Sequence, residues 1–247
     1  MDRMLYLAMT GAQQAMVAQS VNSNNLANVS TTGFKSDLEQ FRSMPVYGSG
    51  LPSRVYALTE RPATDVTAGA IQTTGRSLDV AVDGEGWLAV QSRDGSEAYT
   101  RAGDLRIEAS GMLLTGAGLP VIGNSGAPIV IPPAESVEIG VDGTISIRPL
   151  GQTATVLAEV DRIKLVNPPV DQLTKGKDGL IRVKQMDAVE PDATVKLVSG
   201  ALEGSNVNTV EAMVKMIELQ RQYEMQVKMM KTASDNDAAL SSIMKLA

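Results

Sequence analysis

The stretch whose residue types come nearest to a ligating site is Asp83-Gly84-Glu85-Gly86, two carboxylates one residue apart between glycines. Such a loop could offer oxygens to calcium, but it lacks the alternating Asp/Asn ligands and the distant Glu of an EF-hand. Asp-Gly is also a tight-turn signal, so the expectation here is a hairpin. Gly116-Ala117-Gly118 and Gly123-Asn124-Ser125-Gly126 are glycine-rich, yet neither is followed by a helix carrying Lys-Ser/Thr, which a phosphate cradle needs. The chain contains neither histidine nor cysteine. That removes Ser-His and Cys-His nucleophiles, imidazole and thiolate metal sites, and disulfides. Carboxylate, lysine or tyrosine catalysis is left, and among 28 acidic residues nothing selects one pair as acid and base. No catalytic, cofactor-binding or metal-ligating residue is assigned, and no cofactor or small-molecule substrate is expected.

The elements tell more. From Met4 to Leu26 apolar or small residues recur at helical spacing, and positions 5, 8, 12, 15, 19, 22 and 26 read Leu, Ala, Ala, Ala, Gln, Asn and Leu. This heptad-like seam permits close approach but stabilises little. Asn28, Ser30, Thr31 and Thr32 then compete with helical hydrogen bonding, and Gly33 permits the positive φ of a chain reversal. Residues 40–74, broken by Pro45, Gly48, Gly50, Pro52 and Pro62, read as an extended connector. Short strands follow at 78–82, 87–91, 98–101, 105–108, 112–115, 128–131, 137–139, 144–148, 162–166, 180–184 and 195–198, the spacing of an antiparallel sheet protein. Asp-Gly pairs at 83, 94, 142 and 178 fall between them as expected two-residue hairpin turns.

A second helix begins near Val207, with Ser205 or Asn206 as its expected cap. Its stripe comprises Val210, Met213, Val214, Met216, Ile217, Gln220, Tyr223, Val227 and Met230, weakening at the polar cluster 234–237. The fold class is thus mixed α and β: N- and C-terminal coiled-coil-like helices, an extended connector and one central, mainly antiparallel all-β domain. Its expected divisions are 1–35, 36–75, 76–200 and 201–247.

Aromatics make up only 3% of the chain, so the core should be aliphatic. The net charge of −6 lies in the middle: residues 1–35 carry +1, residues 206–247 carry zero and the remainder −7. No basic face for nucleic acid is visible. No run approaches the roughly 18 apolar residues of a membrane-spanning helix, and Gln13, Gln14 and Gln19 argue against a cleaved signal peptide. An apolar helix stripe has to be buried against something, and the economical partners are the other helix and neighbouring copies. Ten of thirteen methionines lie in the two terminal segments, where adaptable side chains serve either a core or an interface with varying neighbours.

Three blocks of sequence, in order, resemble the rod and hook proteins of the bacterial flagellum. The first is Asn24-Asn25-Leu26-Ala27-Asn28 through Gly33-Phe34-Lys35. The second runs from Thr74-Gly75-Arg76-Ser77-Leu78-Asp79 to Gly86-Trp87 and on to Tyr99-Thr100-Arg101-Ala102-Gly103-Asp104. The third is Gly200-Ala201-Leu202-Glu203-Gly204-Ser205-Asn206-Val207 with Glu211, Met213, Ile217, Gln220, Arg221 and Tyr223. Size and the segment after Lys35 make the resemblance greatest to proximal-rod members with one β domain. The resemblance implies a structural subunit, exported uncleaved by the flagellar type III apparatus and assembled helically with itself and other rod proteins into a periplasmic drive shaft carrying torque from motor to hook. Terminal helices would build the inner tube. The implied assembly residues are Leu5, Met9, Ala12, Met16, Asn24, Asn25, Leu26, Asn28, Gly33 and Phe34, then Val210, Met213, Ile217, Gln220, Tyr223, Val227 and Met230. Competing readings are a secreted carbohydrate-active enzyme using carboxylates and another extracellular filament or adhesin subunit.

Overall fold

In the computed structural model, which describes residues 3–45, 55–60, 63–149, 151, 157–184 and 188–246, the proline-free segment Arg3–Ala27 forms helix α1. It stops where expected: Asn28 turns its amide and side chain back onto the carbonyl of Asn24, at 3.2 and 2.9 Å. Thr209–Leu246 form helix α2. Its cap is Asn208, whose Oδ1 accepts from the amides of Val210 at 3.0 Å and Glu211 at 3.3 Å, rather than Ser205 or Asn206. The polar cluster 234–237 does not end the helix. Ala233 just before it is buried, so the segment has a packed side to continue from.

Two compact units result, and the chain passes between them after Asn28, Ser36, Asp65 and Asn206. The first contains both helices and residues 37–65. Within it Gln40–Pro45 (β1) and Val55–Glu60 (β2) pair antiparallel, from Gln40 opposite Glu60 to Pro45 opposite Val55. Two parts of the segment read as an extended connector therefore pair with each other; residues 46–54, with Gly48, Gly50 and Pro52, lie outside the described residues. Gln14 of α1 holds β2, its Oε1 accepting from the Thr59 amide at 2.8 Å. Lys215 of α2 reaches Glu39 at 2.7 Å, just ahead of β1.

The second unit is residues 29–36 and 66–206. Its strands are mainly antiparallel. A five-stranded sheet runs in the order Leu165–Val166, Trp87–Gln91, Glu97–Thr100, Ile181–Val183 and Leu173–Lys175. A three-stranded sheet is built from Ala158–Arg162, Thr144–Pro149 and Ala134–Ile139. The core is aliphatic as expected, with Val80, Leu88, Leu105, Leu113, Val121, Ile145, Ile163 and Leu197 all fully buried. A second cluster packs round Trp87 and Tyr99.

Turn chemistry is legible but one residue longer than expected. At Arg93-Asp94-Gly95, Val141-Asp142-Gly143 and Lys177-Asp178-Gly179 a three-residue loop closes each hairpin, with the glycine at φ near 84, 84 and 82°. Each Asp side chain accepts from the backbone amide two residues on, which is why Asp precedes Gly. The Asp83 turn is not a hairpin. Val80–Asp83 pairs with Lys196–Ser199 while Trp87–Gln91 pairs elsewhere, so this turn carries the chain from one sheet to another. The expected strand 162–166 likewise divides, because Arg162 ends pairing with Thr144 and Leu165 begins pairing with Leu88. Residues 128–131 contribute isolated bridges instead of a strand.

Candidate assembly faces and junction

The helix pair is antiparallel: Asn22 donates to the carbonyl of Ala212 at 2.7 Å, while Gly11 lies against the Gln226 side chain. On α1 the buried positions are Ala8, Ala12, Ala15, Ala18 and Asn22, with Leu5, Gln19 and Leu26 half-buried beside them. On α2 they are Ala212, Leu219 and Ala233. The seam read from the sequence on α1 is thus the side that α1 turns inward. Four of the five buried residues there are alanines, whose single methyl contributes roughly 0.8 kcal/mol of burial where a leucine gives about 1.5–3.

The large apolar side chains point the other way. On α1, Met9 and Met16 are exposed, Met16 at 60%. On α2, Val210 is 71% exposed, Ile217 53%, and Met213, Gln220, Tyr223 and Val227 are also exposed; Met230 is half-buried. This inverts the usual amphipathic rule, by which the large apolar residues go inside and small or polar ones outside. Asn24 is exposed, but Asn25 is engaged within its own unit. Its amide donates to the Asp37 carbonyl at 2.9 Å and its Oδ1 accepts from the Asp37 amide at 3.0 Å, a reciprocal pair that fixes how residues after the junction return.

Gly33 and Phe34 lie in the second unit. Gly33 adopts φ 64°, and a Cβ there would sit 2.2 Å from the carbonyl carbon of Arg101, so only glycine fits. Its amide donates to the carbonyl of Glu203 at 2.8 Å. Lys35, expected only as part of a motif, is buried and reaches Glu203 Oε1 at 2.6 Å and the Thr67 carbonyl at 2.6 Å. Glu203 is 0% exposed; Oε1 also accepts from the Gly69 amide at 2.9 Å, and Oε2 from Arg101 at 3.0 Å. Arg101 is itself held by the Gly84 carbonyl at 2.8 Å and lies 5.2 Å from the Trp87 ring centre. Lys175 donates to the Lys35 carbonyl at 2.6 Å and stands 4.0 Å over the ring of Phe34. Burial alone would push the Glu203 carboxyl up. The bonds from Lys35 and the Gly69 amide, with the charge and bond of Arg101, outweigh it and hold the group below its ordinary value.

Neither Lys35 nor Glu203 was singled out from sequence, though a signal existed. In the strand Ala201–Glu203, which pairs with Ile71–Thr73, the period of two places Glu203 on the same face as the buried Ala201. A glutamate on an inward face requires a partner.

Comparison with known proteins bears on all three regions. Residues 5–35 match the family model "Flagella basal body rod protein", 81–147 the "Flagellar hook protein FlgE/F/G D1 domain", and 198–243 the "Flagellar basal body rod FlgEFG protein C-terminal". Over its full length the chain is 40% identical to flagellar basal-body rod protein FlgF of Escherichia coli K12, covering all of that protein. It is 36% identical to FlgF of Caulobacter vibrioides, over 98% of this chain and 96% of that one. Its identity to flagellar basal-body rod protein FlgG of Bacillus subtilis is 32%, over 95% and 96%.

Proposed function

Because the chain belongs to the flagellar basal-body rod protein family, we propose that it is a structural rod subunit whose two helices bind neighbouring subunits through the apolar faces they turn away from each other. One observation supports this most: α1 and α2 bury mainly alanines, with Asn22 and Leu219, and keep Met16, Val210, Met213 and Ile217 in solvent. A face of that kind is stable only when another molecule covers it. In this reading the helices become coiled-coil-like on assembly, the strands of residues 66–206 form one β domain, and the subunit joins copies of itself and other rod proteins in the proximal rod. The rod stands in the periplasm as a drive shaft, and the subunit reaches it through the flagellar type III apparatus with its N-terminus uncleaved. The protein carries load and has no enzymatic role.

The absence of cysteine makes the test direct. Met16→Cys and Val210→Cys, each introduced alone and labelled with a maleimide–benzophenone reagent that needs no second thiol, should copurify with basal bodies and photocrosslink to adjacent rod subunits there but not in purified monomer. Full assembly with no crosslink at either position would remove these faces from the interface. Failure of the unaltered protein to copurify with basal bodies would remove the reading itself.

A further inference from the structure

The four Asp-Gly pairs, alike in sequence, differ in what the fold does with them. At Asp94, Asp142 and Asp178 both halves of the pair are engaged. The glycine amide donates back across the turn, Gly95 to the Ser92 carbonyl at 3.0 Å, Gly143 to that of Gly140 at 3.0 Å and Gly179 to that of Gly176 at 3.1 Å. The carboxylate accepts from the amide two residues on, at 3.0, 3.2 and 3.2 Å. The Ser96 and Thr144 hydroxyls and the Arg182 guanidinium, together with those amides, hold all three carboxyls below their ordinary value. Asp83-Gly84 has neither tie. Among the described residues no hydrogen bond reaches the Asp83 carboxylate or the Gly84 amide, and Asp83, Gly84 and Glu85 are all exposed. Asp83 is also the last paired residue of its strand, opposite Lys196, so turning its backbone opens one rung at a strand end. Turning the backbone of the other three undoes the bonds that close a hairpin.

We propose that Asp83 is the site at which this backbone rearranges to isoaspartate, a self-modification that needs no reagent but water. The Gly84 amide nitrogen gives up its proton and attacks Cγ of the protonated Asp83 carboxyl. The N–Cγ bond forms, the Cγ–OH bond breaks, and the hydroxyl leaves with a proton as water, closing a five-membered succinimide. Water then opens the ring at either carbonyl. Cleavage at N–Cγ restores aspartate. Cleavage at the original peptide bond leaves the main chain running through Cγ, one carbon longer, with the α-carboxylate as the new side group. Nothing is oxidised or reduced. The closure needs a free amide nitrogen and a free carboxyl on adjacent residues, and of the four pairs the fold leaves both free only here. The extra carbon falls just ahead of the Gly84 carbonyl, which holds Arg101 at 2.8 Å beside the Trp87 ring, and of Gly86, whose φ of 131° lies against the Val195 side chain. The modified chain should therefore show altered Trp87 emission. The proposal stands apart from the assembly reading and does not depend on which surfaces bind neighbours.

Ageing the full-length protein at physiological temperature and mildly acid pH tests it, once folded and once in urea. Electron-transfer fragmentation of the digested peptides distinguishes isoaspartate from aspartate at each of the four positions. In the folded protein isoaspartate should build up at Asp83 roughly tenfold or more faster than at Asp94, Asp142 or Asp178, because each of those has two hydrogen bonds to open first. In urea, where all four pairs are solvated alike, the rates should draw together. Folded protein that forms isoaspartate at Asp83 no faster than at the other three, or at none of them, overturns the proposal. So does a lead for Asp83 that persists undiminished in urea, which would place its cause in the neighbouring sequence and not in the fold.

Discussion

The two units bury opposite things. In the β unit the buried residues are Val, Ile and Leu from many strands, and Trp87 and Tyr99 are covered as well. In the helical unit the buried apolar residues, among those described, are alanines and Leu219, while methionines, valines and an isoleucine face outward. Each fully covered Leu or Ile contributes about 1.5–3 kcal/mol, so the β unit has a core that can hold it alone and the helical unit has little beyond close approach. A sheet unit that completes its own burial is a folded body. A helix pair that buries its small residues and exposes its large ones does not complete its own burial, which is the basis of the assembly role proposed for it.

The largest expected effect lies in the β unit. Ile145→Ala removes a fully buried side chain from the main cluster and should lower that unit's stability by about 2–5 kcal/mol. Trp87, the chain's one tryptophan, is buried there and reports it, so the midpoint of urea unfolding by Trp fluorescence should fall clearly. The helical signal at 222 nm, which comes from α1 and α2, should unfold as before. Loss of both signals together would mean that the two units stand or fall as one.

An intermediate effect is expected in the alanine seam. Ala15 is 1% exposed, and Ala15→Leu would force larger volume between helices that approach closely, at about 1–3 kcal/mol. Here the 222 nm transition should shift and the Trp87 transition should not. If Ala15→Leu instead stabilised the helices, the seam would be loosely packed and the comparison between the units would lose its basis.

How much of this was readable beforehand follows from which interactions are local. The α1 seam at positions 5, 8, 12, 15, 19, 22 and 26 was visible because helical periodicity is a property of near neighbours, and the same holds for the Asp-Gly turns. The outward turn of Val210 and Ile217 was not. Their spacing identifies a stripe, but whether a stripe meets a partner helix or solvent depends on what the other helix offers, and α1 offered alanines. The pairing of β1 with β2 was hidden for a similar reason, since the two strands lie on either side of Gly48, Gly50 and Pro52 in sequence and β2 is held by Gln14, far back in the chain. The buried cluster at Glu203 needs Lys35, 168 positions away, and Arg101, 102 positions away, pairings no local pattern encodes.

The smallest effect on the isolated protein should come from the exposed helix face proposed for assembly. Ile217 is 53% exposed, so Ile217→Asp gives up little burial, and Ile and Asp differ modestly in helix propensity. Arg221 stands one turn on, where it can pair with the new carboxylate at i, i+4 spacing. The net change in the 222 nm transition should stay within about 0.5 kcal/mol, as for other exposed positions. If that face is covered by a neighbouring subunit as proposed, the same substitution would bury a carboxylate in an apolar contact, where a pair with Arg221 offsets little of the desolvation cost. Cells carrying Ile217→Asp should therefore make a folded, stable protein and no rod. A drop in monomer stability well beyond that range would show that the face is already covered within one molecule, and normal rods would show that it is covered in none.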